Sequence, residues 1–297
     1  MLYAAAPPAL PLPAGTKVYE GPRDAVGRPD GVGTMQYSGG DSYQGQWRVG
    51  HRDGQGAMTY ANGNRYVGGW RKSRKAGGGC MRFHCGDRYQ GGWLEGQLHG
   101  NGKYTFASGD EFDGLYAIGK KVKGRYVFAD GVASYTGEWQ DEVFHGLGVL
   151  VYASMEVYSG GWLRGVRESK AATYRWPSGA TFKGEFRGDA ILRGTYTFAD
   201  GSAIYDGPYR DDARHGVGVA TYRDGSVYAG DWFDDKMHGQ GRYTFPNGSI
   251  YEGGFRANRR HGQGALRNPR GAVVVAGLFT EGQPPRFLLK RKADHEA

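Results

Sequence analysis

Apolar positions along this 297-residue chain fall at two-residue spacing, and most of those that recur are rings. One five-residue pattern returns along nearly the whole length: an aromatic residue, any residue, Gly, any residue, a second aromatic. Tyr43-Gln44-Gly45-Gln46-Trp47 is followed by Tyr66/Gly68/Trp70, Tyr89/Gly91/Trp93, Phe112/Gly114/Tyr116 and Tyr135/Gly137/Trp139. Tyr158/Gly160/Trp162, Phe182/Gly184/Phe186, Tyr205/Gly207/Tyr209, Tyr228/Gly230/Trp232 and Tyr251/Gly253/Phe255 continue it. The step is 23 residues everywhere except from 158 to 182, where it is 24. Worn copies flank the array, Tyr19-Glu20-Gly21-Pro22-Arg23 before it and Val275-Ala276-Gly277-Leu278-Phe279 after it. Such a period marks one small unit stacked many times and leaves little chain for a separate catalytic domain.

Within the repeat that begins at Tyr89, alternation puts Tyr89, Gly91 and Trp93 on one face of a strand. Leu94 to Leu98 is polar and turn-like around Gly96. Gly100, Gly102, Tyr104 and Phe106 resume two-residue spacing, and Ser108-Gly109 signals a second turn. Each repeat is therefore predicted to be a β-hairpin. A lone hairpin is marginal in water, so the ring face must be buried by stacking. The strand glycines are expected to let rings of adjacent strands approach. The rings Trp47, Trp70, Trp93, Trp139, Trp162 and Trp232 form the expected aromatic core.

A second motif is linked to the first: His99-Gly100-Asn101-Gly102, and likewise from His145, His215, His238 and His261. The two motifs with their period resemble the MORN repeat family over about residues 19–280. The resemblance implies an all-β, elongated, single-layer antiparallel sheet of stacked hairpins. At about 9.6 Å per hairpin, a regular stack of this length would span on the order of 100–115 Å. Residues 1–16 read as a flexible Ala/Pro-rich segment, 17–281 as the array and 282–297 as a basic tail. Departures from the pattern occur. Arg52-Asp53-Gly54 lacks the His, and Ser169-Lys170-Ala171 lacks both glycines. The rows at 112 and 182 are each one residue short before Gly124 and Gly194. The matching lesions read as a duplication, as two equivalent bends or as tolerated drift.

Composition changes the picture little. With 54 Gly, 21 Tyr, 13 Phe and 7 Trp, rings stand in for the scarce aliphatics, which argues against disorder. The net charge of +8 is concentrated in clusters at Arg71-Lys72-Ser73-Arg74-Lys75, Lys120-Lys121-Val122-Lys123, Arg256 with Arg259-Arg260, and Lys290-Arg291-Lys292. Arg71, Lys72, Arg74 and Lys75 form a candidate basic contact patch for an acidic protein or acidic lipid, against the plain reading of solvated turns. Nucleic acid is not expected, because the rings sit at core spacing rather than on an exposed stacking platform.

Chemistry is not expected. Equivalent histidines in successive repeats stand about 9.6 Å apart, too far to share a zinc ion whose ligands lie about 2.0–2.1 Å away. Cys80 and Cys85 read as free thiols, on opposite faces of one second strand if it is regular. The Gly-x-Gly strings do not open helices, as phosphate loops require. Neither a signal peptide nor an apolar run long enough for a membrane helix is seen. No cofactor, metal site or catalytic residue is predicted, and fewer than twenty residues follow the last worn repeat.

The function expected is a non-enzymatic scaffold or spacer subunit of a larger cytoplasmic assembly, in contact with other protein subunits. The family resemblance extends this to the cytoskeleton and to cilium or flagellum axonemes such as radial spokes. Alternatives are a membrane-proximal linker binding acidic phospholipids through basic turns, and a regulatory subunit of a separate enzyme. An open sheet also has two edges. Pro22 and Arg23 blunt the first, whereas Val273, Val274, Val275, Leu278 and Phe279 form an apolar C-terminal edge expected to seek a partner, a second copy included.

Overall fold

Alternating ring and polar positions fold as strands, and the turns between them fall where residues tolerate positive φ. In this computed structural model, which describes residues 17–285, the fold is all-β. Among the described residues 25 strands pair antiparallel as stacked hairpins, in single-layer open sheet. Segment 1–16 and the tail beyond residue 285, with Lys290-Arg291-Lys292, lie outside the described residues.

The chain divides into two compact units, residues 1–143 and 144–297. In the first, Ser42–Arg48 pairs with His51–Thr59, Arg65–Arg71 with Arg74–Arg82, Arg88–Leu94 with Gln97–Thr105 and Glu111–Ala117 with Lys120–Val127. In the second, Thr181–Arg187 pairs with Ala190–Thr197, Val227–Phe233 with Lys236–Thr244 and Ile250–Arg256 with Arg259–Arg267. Val273–Phe279 is its last strand. The first turn of each hairpin is a tight pair such as Glu95-Gly96 or Asp234-Asp235, with φ of 51° and 88°, or 45° and 65°. Both values are positive, as in the I′ turn, whose twist matches that of the strands it joins.

Repeat length is absorbed in a bulge beside that turn. In the ordinary hairpin Gly91 pairs with Gly102 and Trp93 with Leu98, so Gly92 alone faces His99, Gly100 and Asn101. Gly100 sits there at φ 74°, a conformation that favours glycine. In the two short rows the bulge shrinks to one residue, Val122 or Leu192, and the positive-φ glycine is not needed. The next turn returns the missing residue: the Phe128 N–H reaches the Ala133 carbonyl, whereas that of Phe106 reaches Asp110. In the 24-residue row, residues 160–161 face residues 168–172. Two repeat lengths and three bulge arrangements thus keep one strand register.

The first aromatic of every full repeat is completely buried: Tyr43, Tyr66, Tyr89, Phe112 and Tyr135 in the first unit, and Tyr158, Phe182, Tyr205, Tyr228 and Tyr251 in the second, all at 0% exposure. In the regular repeats the ring lies across two glycines of its own hairpin, and Tyr158 lies beside Gly160 with Ala172 in the second place. A Cβ on Gly102 would meet the Tyr89 hydroxyl and ring, and one on Gly241 would meet Tyr228. This bears out the expectation that the glycines make room for rings of adjacent strands, and the adjacent strand is the partner within the same hairpin. The Tyr hydroxyl then donates to the carbonyl three residues on, as Tyr89 to Gly92 (2.9 Å) and Tyr228 to Asp231 (2.8 Å). Phe112 and Phe182 replace Tyr in the two short rows, where the residue three further on, Leu115 or Glu185, is paired directly in the ladder.

The second aromatic links repeats. Trp70 meets Tyr66 and Tyr43 edge to face, with centroids 5.2 and 5.4 Å away, and its indole N–H donates to Gly56 of the preceding hairpin (3.2 Å). In the second unit the same zipper runs from Tyr158 through Phe186, Phe182, Tyr209, Tyr205, Trp232, Tyr228, Phe255 and Tyr251 to Phe279. Edge-to-face pairs of this kind add roughly 0.5–1.5 kcal/mol each beyond their buried area.

Candidate protein-interaction groove

The second strand of several hairpins carries two more rings on the same face, and in Tyr104/Phe106, Tyr126/Phe128, Tyr196/Phe198 and Tyr243/Phe245 these are only half-buried. Tyr243 pairs directly with buried Tyr228, yet Tyr243 and Phe245 are only half-buried. Their centroids are 4.8 Å apart. Tyr196 with Phe198 repeats the arrangement, also at 4.8 Å, and in the first unit Tyr104 with Phe106 does so at 4.5 Å. The zipper of first and second aromatics is a floor, and the half-open rings are a rim above it.

Facing the rim is a row of side chains five positions after the second aromatic. Cations occupy many of its places: Arg52, Lys75 and Lys121 in the first unit, Arg167, Arg214 and Arg260 in the second. Each lies over the floor ring of the next hairpin. The Arg52 guanidinium is 4.4 Å from the Trp70 ring, the Lys75 ammonium 4.1 Å from Trp93 and the Arg214 guanidinium 4.4 Å from Trp232. Burial holds the Lys75 ammonium below the usual lysine range. These residues also strap successive hairpins together. Arg214 donates to the Asp235 carboxylate and carbonyl (both 2.8 Å), and its own carbonyl accepts the Asp235 N–H (3.2 Å). Arg260 makes the same reach to the Gly282 carbonyl (3.0 Å), with no carboxylate partner among the described residues. Sequence reading missed this row because a lone cation beside a turn looks solvated. Its fixed offset from the second aromatic was the available signal.

Rim and cation row enclose two slots in the second unit. One, of about 340 Å³, has Tyr196 and Phe198 on one wall, Tyr209 at its floor and Arg214 with Asp235 opposite. The other, of about 310 Å³, has Tyr243 and Phe245 on one wall, Phe255 at its floor and Met237 with Arg260 opposite.

The residues singled out from sequence fall as follows. Trp47, Trp70, Trp93, Trp139, Trp162 and Trp232 are all buried in the floor. Of the basic set, Arg71 and Lys72 are exposed, Arg74 is paired with Glu95 (3.2 Å), and Lys75 points inward over Trp93. On the C-terminal strand, Val273, Val274 and Leu278 are 53%, 52% and 59% exposed, Val275 is half-buried, and Val274 is the extra residue of a one-residue bulge. Phe279 separates from this group: at 1% exposure it is the last ring of the floor, against Tyr251. Cys80 lies on Arg74–Arg82 and Cys85 in the following turn rather than on one strand, and both are free thiols. At the N-terminal edge Arg23 takes the place of a second ring, its guanidinium 4.8 Å above Tyr19. The His99 and His261 side chains sit in the bulges, each with a buried Nδ1 that has no hydrogen-bond partner among the described residues. No group of three or more His, Cys, Asp or Glu among the described residues could hold a metal ion.

Comparison with known proteins adds the following. The family description "MORN repeat" matches residues 27–42, 43–65, 89–111, 135–154, 158–181, 193–203, 205–227, 228–250 and 251–273, more than half of the chain. Alsin from Rattus norvegicus is 33% identical over 93 residues, which is 29% of this chain and 6% of that protein. Among solved structures, the TCP10 domain of Danio rerio CPAP in complex with a STIL peptide is 12% identical, covering 89% of this chain and all of that one at a TM-score of 0.29. The TCP domain of SAS-4 from Drosophila melanogaster, in complex with a proline-rich motif of Ana2, is 12% identical, covering 66% and 86% at 0.30. Scores this low carry no argument about function.

Proposed function

The chain belongs to the MORN-repeat family, and from that premise we propose that it is a non-enzymatic scaffold that binds other protein subunits along its aromatic groove. One observation carries the reading: the first aromatic of every full repeat is consumed by packing, while Tyr196, Phe198, Tyr243 and Phe245 of the rim stay half-open beside a row of fixed cations. Such rows hold side chains rigidly, so a partner need not order them on binding. The test is a photo-crosslinking residue at position 245 of the full chain in its own cells, with the adducts identified by mass spectrometry. A defined set of proteins, lost when Tyr196 and Tyr243 are changed to Ser, is expected. Unchanged adducts in that double variant would remove the groove from the mechanism.

The finer reading is a cytoplasmic structural subunit of a cytoskeletal, ciliary or flagellar assembly, and it rests on analogy within the family. It predicts that the chain sediments with detergent-extracted axonemes or cytoskeleton. Full release on extraction would sink it.

Two further surfaces support contacts of their own. The C-terminal strand offers Val273, Val274 and Leu278 at an edge with no partner strand among the described residues, which suits a second copy or a neighbouring subunit. Val274→Lys should lower the oligomer mass or weaken subunit binding, and no change in either would exclude the edge. An acidic lipid headgroup is favoured by an open cavity of about 720 Å³ whose lining includes Arg48, His51, Arg71 and Lys72. Salt-sensitive flotation with anionic vesicles checks that reading.

A further inference from the structure

The two slots of the second unit are equivalent places two hairpins apart. Tyr196 and Phe198 recur as Tyr243 and Phe245, and Arg214 as Arg260. At about 4.8 Å per strand, two hairpins advance about 19 Å. One backbone with a matching pitch is the polyproline II helix, with three residues per turn and about 3.1 Å per residue. Six such residues advance about 18.6 Å and return to the same side of the helix. Six residues of an extended strand advance about 19.8 Å and also return to one side, so pitch alone does not separate the two backbones and the choice between them rests on the aromatic walls of the slots. Proline rings favour clefts between aromatic walls, since the helix they form is already ordered before binding.

The slots differ in charge. At the first, Arg214 is neutralised by Asp235 at 2.8 Å. At the second, Arg259 is paired with Glu281 at 2.9 Å, but Arg260 has only the Gly282 carbonyl and the rings of Tyr251 and Phe279. A ligand that spans both slots therefore gains from an acidic residue at the Arg260 end alone.

We propose that this groove, in the protein-binding role set out above, receives a proline-rich segment of a partner protein. The segment lies across the strands as a polyproline II helix. Two prolines six residues apart fill the slots at Tyr196/Phe198 and Tyr243/Phe245, and an acidic side chain just beyond the second proline meets Arg260. The residue midway between the prolines falls over the intervening hairpin, opposite Tyr222 and Met237.

The probe is a fluorescein-labelled synthetic peptide with prolines six apart in a proline- and alanine-rich frame, ending in Glu, titrated into the full chain by fluorescence anisotropy. Saturable binding is expected. It should weaken about tenfold or more when the proline spacing is changed to five, and severalfold when Glu is replaced by Lys. Phe245→Ser, a change at a half-open rim position, should abolish it while the chain remains folded at the assay temperature by circular dichroism. Equal affinity at both spacings, or undiminished binding to Phe245→Ser, would overturn the proposal. So would the absence of any binding. If the peptides fail while position 245 still crosslinks specific proteins in cells, the groove reading stands and the polyproline ligand falls. If both fail, the groove itself is excluded.

Discussion

Tyr228 and Tyr243 face each other across one hairpin, and their fates differ. Tyr228 is fully buried over Gly230 and Gly241, with its hydroxyl on the Asp231 carbonyl. Tyr243 is half-buried, with its hydroxyl on Ser226 at 2.9 Å, and it walls a slot. The residue type is the same, so the difference lies in what surrounds each ring. Tyr228 has the next hairpin's Phe255 packed edge to face against it at 5.0 Å. Tyr243 rests on the edge of the same cluster, with its strand neighbour Phe245 and a tilted Tyr222 at 6.5 Å beside it and no ring packed over it edge to face among the described residues. Rings of the floor hold hairpins to one another, and rings of the rim stay partly open.

The comparison breaks most visibly at the floor. Trp139 is buried against Phe112, Tyr126 and Tyr135, with the Lys121 ammonium 5.0 Å above it. Trp139→Ala should cost roughly 3–5 kcal/mol by leaving a cavity. Gln140→Ala, exposed on the opposite face, should stay within about 0.5 kcal/mol. Equal shifts of the two urea midpoints would show the faces to be wrongly assigned.

A smaller loss is expected from filling the floor. Gly241 is not at positive φ, so Gly241→Ala tests crowding against Tyr228 without backbone strain. A cost of about 1–3 kcal/mol is expected from overpacking. An unchanged or raised melting temperature would mean that the ring does not rest on that glycine.

Alkali should find the floor next. Burial pushes the hydroxyls of Tyr43, Tyr89, Tyr158 and Tyr205 up to about 12. Their folded-state pKa lies above the unfolded value of about 10, so their contribution is complete below pH 10 and is lost as pH rises towards 12. Chemical stability should therefore fall with pH above about 10, and much of the tyrosinate absorbance should appear together with unfolding. Complete ionisation of the tyrosines in a still-folded protein would contradict their burial.

The least effect belongs to the rim. Phe245→Ser should cost about 1–2 kcal/mol, less than Trp139→Ala, since its ring lies at the edge of the cluster and is partly exposed. A loss as large as that of Trp139→Ala would place Phe245 in the floor and remove the distinction.

The 23-residue period, the alternation Tyr89, Gly91, Trp93 and the turn at Glu95-Gly96 are local features. Local spacing decides which face a side chain takes and where the chain can reverse, so the stacked hairpins and the buried Trp row are legible in the order of residues alone. The family resemblance rests on the same residues. Contacts between repeats are not legible there, because they depend on where the next hairpin comes to rest. Arg214 reads as a turn residue until the next hairpin brings Trp232 beneath its guanidinium and Asp235 against its side. Phe279 reads as part of an apolar edge until strand pairing turns it onto Tyr251. The short rows at 112 and 182 look like lesions until the register shows a smaller bulge and a longer turn cancelling. Sequence spacing determines the hairpin and its faces, while tertiary stacking alone decides which rings are closed over and which cations are held against them, because burial is a property of neighbours that the local pattern does not contain.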